Sequence, residues 1–118
     1  MEINISNFPI ISVVFPEKMD DRSMNLLLTT WKRLYQEQKY FKFIFDTKKL
    51  SSVGFTYCFQ MAKFMYELKQ EKTQYLEESM IIVDNPMIHR LLDFVFMIQK
   101  PVSKVRIVND DFELLSEL

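Results

Sequence analysis

The sequence predicts one domain of the α/β class over residues 1–118, with a mixed, mostly parallel sheet of four or five strands and about four helices. At 118 residues the chain is long enough to bury a single core and too short for two. Its 48% hydrophobic and 26% charged residues are typical of a globular protein rather than a disordered one. Apolar runs of strand length alternate with segments of helical period, and strands joined by helices pair in parallel through right-handed crossovers.

The predicted strands are short runs rich in β-branched and aromatic residues. They are apolar nearly throughout, which is typical of strands covered on both faces of a sheet. The first is an edge strand, and Pro16 ends the second. The strands are expected at residues 3–8, 10–15, 41–45, 80–83 and 105–108.

Three helices are predicted between these strands, and a short fourth helix after the last one. Asp20 and Asp21 provide N-terminal capping groups for the first helix, where apolar side chains recur every three or four residues. The segment Asp84-Asn85-Pro86 gives the third helix a cap followed by proline at its first position. The first helix is expected to begin near Asp20 and Asp21 and to contain the apolar residues from Met24 to Tyr35. The others are expected to run from about Phe55 to about Gln70, from Pro86 to about Gln99, and from Asp110 or Asp111 through Leu118.

Charge and composition exclude several classes of function. Fifteen Lys and Arg residues against sixteen Asp and Glu residues leave a net charge of -1, so we expect no nucleic-acid partner. With Cys58 as the one cysteine and His89 as the one histidine, neither an internal disulfide nor a Cys/His zinc cluster is expected. Gly54 is the single glycine, and phosphate-binding loops use several. We therefore expect no metal and no cofactor.

The chain is expected to be cytoplasmic. Glu2 stands where a secretory signal would carry positive charge, and Pro9 breaks the apolar stretch that follows. The apolar uncharged run on the third predicted helix, residues 94–98, is far below the ~20 residues that span a bilayer. We therefore expect no transmembrane segment.

The sequence offers few groups for catalysis. His89 precedes Asp93 by four residues, so the two can meet on the third helix, but they lie opposite its apolar face. Cys58 lies in the apolar arc of the second helix and has no histidine to activate it. We therefore predict no catalytic residues and no enzymatic activity.

The second helix has more apolar residues than packing on a sheet requires. They cover an arc far wider than the ~100° stripe of a typical surface helix. Neighbouring helices can absorb this excess, or it can form a contact surface for a protein partner or a second copy of the chain. The candidate interaction surface consists of Phe55, Phe59, Tyr66, Phe96 and Met97.

The order of elements and one central segment point to a known family. Residues 43–58 comprise a strand ending in Asp46, a loop containing Leu50 and Val53, and the start of a helix. This pattern resembles the STAS domains typified by bacterial anti-sigma-factor antagonists. The resemblance implies an αβ sandwich and a regulatory role through protein binding.

The turn before the second helix departs from the STAS pattern. The phosphorylatable serine of the family falls on Phe55, and the acidic residue before it falls on Gly54. Phenylalanine cannot be phosphorylated, so the kinase-controlled switch is not carried over. The next serine of the family falls on Thr56, which is left as a candidate regulatory hydroxyl.

A second likeness covers residues 74–109. Here Tyr75-Leu76 precede an apolar strand, Asp84-Asn85-Pro86 opens an apolar helix, and Gln99-Lys100-Pro101 leads to a last strand. The pattern is similar to the second half of CRAL-TRIO lipid-binding domains, which have a related αβ sandwich. This likeness implies binding of a lipid or another apolar ligand.

Two functions are therefore expected from the sequence. The first is a non-enzymatic protein-interaction or regulatory module of STAS-like type, self-associating as a homodimer or binding a protein partner. The alternative is a binder of a lipid or other apolar small ligand, with a cavity between the second helix, the third helix and the sheet.

Overall fold

A computed structural model of the chain describes residues 1–109, which form five strands and three helices. The α/β class predicted from the sequence is confirmed. The short helix predicted from Asp110 or Asp111 through Leu118 lies outside the described residues. In chain order the elements are β1 (Glu2–Asn4), β2 (Ile10–Val14), α1 (Asp21–Gln36), β3 (Phe41–Asp46), α2 (Phe55–Leu68), β4 (Leu76–Ile82), α3 (Pro86–Ile98) and β5 (Lys104–Val108).

The strands form one mixed sheet in the order in which they occur in the chain. β1 pairs antiparallel with β2, and β2 to β5 are parallel to one another. Each parallel pair is joined through a helix. Because right-handed crossovers in one continuous direction place every helix on the same side, this strand order predicts a sheet with one helical face.

The core shows that all three helices do lie on one face. Phe41, Phe43 and Phe45 alternate along β3 towards that face, and all are buried. They share one apolar cluster with residues of α1, α2 and α3, for example Trp31, Phe64 and Ile88. Coverage of both sheet faces by helices, which the apolar strands suggested, is therefore not found in residues 1–109.

The opposite face carries a smaller apolar cluster and an ion-pair group. Met80, Ile82 and Val108 are buried there, and Ile44 packs against them. Their apolar character explains why the strand sequences looked suited to two covered faces. On the same face, Glu78 Oε1 and Arg106 Nε form an ion pair at 2.8 Å.

Capping chemistry explains where two of the helices begin. Asp20 Oδ1 accepts a hydrogen bond from the Ser23 backbone N–H at 2.7 Å, and this bond lowers the pKa of Asp20. Asn85 Oδ1 accepts from the Met87 N–H at 2.9 Å, with Pro86 in the first turn. α2 begins after Gly54, which makes no side-chain capping bond.

Two strands differ clearly from their expected bounds: β1 ends at Asn4 instead of residue 8, and β4 was expected at residues 80–83. The strand begins at Leu76, so it includes Glu77 and Glu78. Acidic residues obscured its start because Glu is depleted in strands and is favourable there when a cation lies on a neighbouring strand. Arg106 of β5 provides that cation for Glu78, and sequence alone does not show this contact.

Two neighbouring leucines of α1 provide a test of the helix orientation. Leu27 is 0% exposed beneath the helix and Leu26 is 44% exposed. We expect Leu27→Ala to lower the free energy of unfolding by about 2–5 kcal/mol, because it leaves a cavity in the core. Leu26→Ala should change it by less than about 0.5 kcal/mol. Urea denaturation of both variants measures this difference, and equal losses would contradict the assigned face.

Candidate functional site

A cavity of about 130 Å³ lies between the sheet and the helices α2 and α3. Its floor is formed by β3, β4 and β5, and its roof includes Cys58, Met61 and Val95. The loop after β3 contributes Leu50 and Val53 to the wall. The cavity therefore occupies the place expected from the sequence for an apolar ligand.

The register of the sheet explains why a void forms there. On the helical face, Phe43 of β3 pairs with Ser79 of β4, which in turn pairs with Val105 of β5. The floor thus changes from a large aromatic side chain to two small ones. Phe64 sets the distance between α2 and the sheet, because its ring packs edge-on against Trp31 at 5.1 Å between ring centroids. Close packing is therefore achieved over β3 and is incomplete over β4 and β5.

The walls of the cavity are apolar and uncharged. No Asp, Glu, Lys, Arg or His side chain of residues 1–109 lines it. Burial raises the pKa of the Cys58 thiol, so this thiol stays protonated at neutral pH. A charged ligand group would have no partner of opposite charge in the cavity, and burying such a group is strongly unfavourable.

A few hydroxyl groups interrupt the apolar lining. Thr47 donates its hydroxyl proton to the Ile82 carbonyl at 2.6 Å, so its donor is already used. Ser79 is 4% exposed and lies on the floor. Ser103, one residue before β5, has a buried Oγ without a hydrogen-bond partner. The unpaired Ser103 hydroxyl is therefore a polar group that a ligand can satisfy.

The Trp31 indole Nε1 is also buried without a hydrogen-bond partner. Burial raises the pKa of Tyr35, and the Trp31 indole opposes that shift. Trp31 is also among the residues that line the cavity, so its indole N–H is a second buried polar group there without a partner.

Tyr57 connects the cavity wall to α1. Its ring lines the cavity, and its hydroxyl donates to Asp21 Oδ1 at 2.9 Å. This bond joins the first turns of α1 and α2. The hydrogen bond to the Asp21 carboxylate raises the pKa of Tyr57, because ionising the phenol would remove the donor and place two negative charges together.

Four of the five residues predicted as an interaction surface are exposed. Phe55, Phe59 and Tyr66 follow one stripe of α2, and Met97 lies on α3; each is more than half exposed. Phe94 was not predicted, yet its ring packs edge-on against Phe55 at 5.4 Å and Phe59 at 5.9 Å between centroids. This contact joins two helices, so the helical period of α3 alone does not indicate it. We call Phe55, Phe59, Tyr66, Phe94 and Met97 the outer aromatic surface.

Phe96, the fifth predicted surface residue, is placed differently. It is only partly exposed, packs against the core and lines the cavity. The reason is helical period: Phe96 follows Ile88 and Leu92 at intervals of four residues, and that stripe of α3 faces the sheet. Phe96 therefore belongs to the cavity wall and not to the outer aromatic surface.

The remaining sequence candidates lie apart from the cavity. Thr56 is exposed in the first turn of α2, where Gly54 provides no side-chain cap. His89 Nδ1 and Asp93 Oδ2 are 3.4 Å apart, and both side chains are largely exposed on the outside of α3. Within residues 1–109, no group of three or more His, Cys, Asp or Glu side chains is placed to hold a metal ion.

The chain matches no protein-family model and no curated protein sequence. None of the helices in residues 1–109 has the length and apolar character needed to cross a bilayer. Function is therefore inferred from the geometry of this chain alone.

The bond between Tyr57 and Asp21 predicts a pH-dependent contribution to stability. Because the pKa of Tyr57 is raised in the folded state, this contribution is complete below the unfolded pKa of about 10 and is lost as pH rises through the folded pKa. We expect the melting temperatures of wild type and Tyr57→Phe to differ at neutral pH and to converge in strong alkali. Thermal melts of both proteins over this range measure the effect.

Asp21→Asn is the matched control for this prediction, because it keeps an acceptor oxygen and removes the charge. A difference titration of phenolate absorbance, wild type minus Tyr57→Phe, should show Tyr57 ionising above the ordinary range and nearer to it in the Asp21→Asn background. Ionisation of Tyr57 in the ordinary range in the wild type would contradict the assignment.

Proposed function

We propose that this chain is a non-enzymatic binding module that holds a small, uncharged, apolar molecule in the cavity beneath α2 and α3. The observation that carries the proposal is the apolar cavity of about 130 Å³ itself. Native interiors are close-packed, and voids of this size are few. An engineered apolar cavity of about 150 Å³ is large enough to bind benzene.

The volume also limits the size of the ligand. Pockets for drug-sized molecules are typically about 300–1,000 Å³, well above the volume found here. A single ring or a short branched chain fits, whereas a long acyl chain requires the helices to move. Of the lipid and small apolar ligands implied by the CRAL-TRIO likeness, the cavity therefore favours the smaller class.

Toluene is the probe for this proposal, and palmitate is the size control. At a tenfold excess over its Kd, a ligand that binds only the folded state adds about 1.4 kcal/mol to stability, which corresponds to a rise in Tm of about 5 °C in a domain of this size. We expect toluene to raise Tm and to perturb the resonances of cavity residues in NMR spectra. Palmitate should do neither.

Variants on opposite sides of α2 give a matched comparison. Cys58→Leu adds volume to the cavity roof and should abolish toluene binding while keeping or raising the Tm of the free protein. Tyr66→Leu alters an exposed position on the same helix and should leave binding unchanged. Val95→Phe is a second cavity-filling variant if Cys58→Leu does not fold. Absence of toluene binding in the wild type, or equal binding in the filled variants, would contradict the proposal.

The outer aromatic surface supports a second candidate function, a STAS-like regulatory module that self-associates. Phe55 and Phe59 are more than half exposed although they already pack against Phe94. Contiguous exposed aromatic and methionine side chains are typical of protein contact surfaces. The occupant we propose is a second copy of the chain, since two such surfaces can bury each other around a twofold axis.

Sedimentation velocity tests this second candidate. We expect a concentration-dependent dimer in the wild type and a monomer after the double substitution Phe55→Ser and Phe59→Ser, because the apolar contact is lost. Ile5→Ser changes a similarly exposed apolar residue in the loop after β1 and should leave the dimer intact. A wild-type protein that remains strictly monomeric at high concentration would refute self-association.

A further inference from the structure

The cavity has a polar end on its floor. Ser79 lies on β4 opposite Val105 of β5, and Ser103 lies two residues before Val105. Both serines line the cavity, and each contributes a hydroxyl group to its lining.

Two hydroxyl groups elsewhere in the lining are already engaged. The Thr47 and Tyr57 hydroxyls donate to Ile82 and Asp21 respectively. The Cys58 thiol remains protonated and is a weak hydrogen-bonding group. Two buried lining groups of residues 1–109 are found without a partner, the Ser103 hydroxyl and the Trp31 indole N–H. Of these, the hydroxyl can both donate and accept, whereas the indole N–H can only donate. A buried hydroxyl left unpaired is unfavourable. A ligand that forms a hydrogen bond with it therefore binds more tightly than one that does not.

We infer that the ligand of this cavity is a single-ring molecule of phenol type, with one neutral hydroxyl group bound by Ser103 and its ring in the apolar remainder. This inference rests on the proposed function and adds a requirement for one polar group at a defined place. A phenol hydroxyl can donate to the serine oxygen or accept from it. The uncharged walls exclude a carboxylate or an ammonium group in the same position.

Toluene and p-cresol form a matched pair of probes, since they differ by one hydroxyl group. In a wholly apolar cavity toluene binds more tightly, because p-cresol loses hydration of its hydroxyl without compensation. We expect the wild-type protein to bind p-cresol at least as tightly as toluene. The charged analogue p-hydroxybenzoate should not bind. Isothermal titration calorimetry or NMR titration gives these affinities.

Substitution of the serine assigns the contact. Ser103→Ala should weaken p-cresol binding by about twofold to tenfold, which is the range expected for one hydrogen bond, and should leave toluene binding equal or stronger. Ser79→Ala tests the same end of the cavity and keeps the experiment decisive if Ser103→Ala does not fold. Ser12→Ala, on the opposite face of β2, is the control and should change neither affinity.

The outcomes separate this inference from the function on which it rests. If toluene binds more tightly than p-cresol and Ser103→Ala does not change their ratio, the polar requirement is wrong while the ligand-binding function stands. If neither probe binds, both are wrong. A loss of p-cresol affinity confined to Ser103→Ala and Ser79→Ala supports the assignment.

Discussion

The packing of Trp31 against the phenylalanines of β3 is the interaction on which the rest of the fold depends. Trp31 meets the rings of Phe43 and Phe64 edge-on, each at 5.1 Å between centroids. Through these contacts one indole joins α1, the central strand and α2. Because the phenylalanines of β3 point to a single side, the large apolar surface that must be buried is on one face of the sheet. The helices collect there, which agrees with right-handed crossovers between sequential parallel strands.

The same arrangement produces the cavity. Aromatic side chains fill the space over β3, and the helices are set at the distance that those rings require. Further along the sheet, Ser79 and Val105 occupy the equivalent positions with much smaller side chains. A sheet and a helix are each stiff, so neither collapses fully into the gap, and the surrounding methionines do not fill it. The void therefore results from the decrease in side-chain volume from Phe43 to Ser79 and Val105, which are paired across β3, β4 and β5.

The positions of the elements could be predicted largely from the sequence, whereas the site could not. Asp20 and Asn85 act on residues two or three positions away, so their capping roles are visible in local sequence. The place of the cavity was predicted, but its size and polar end depend on which residues become neighbours through strand register. Phe94 was missed for a related reason, since its contacts with Phe55 and Phe59 cross between two helices. The hydrophobic period of one segment does not show which distant residues pair with it or how well their side chains fill the space between them.

The two candidate functions share the helices α2 and α3, and this limits how independent they can be. Cys58 and Phe59 are adjacent in sequence, yet the first faces the cavity and the second faces outward beside Phe94. If a ligand in the cavity changes the distance between α2 and α3, it also changes the distance between the Phe59 and Phe94 rings on the outer aromatic surface. Thermodynamic linkage then requires that association through the outer aromatic surface alter ligand affinity by the same factor. If the two helices do not move, by contrast, ligand binding and self-association are independent of each other.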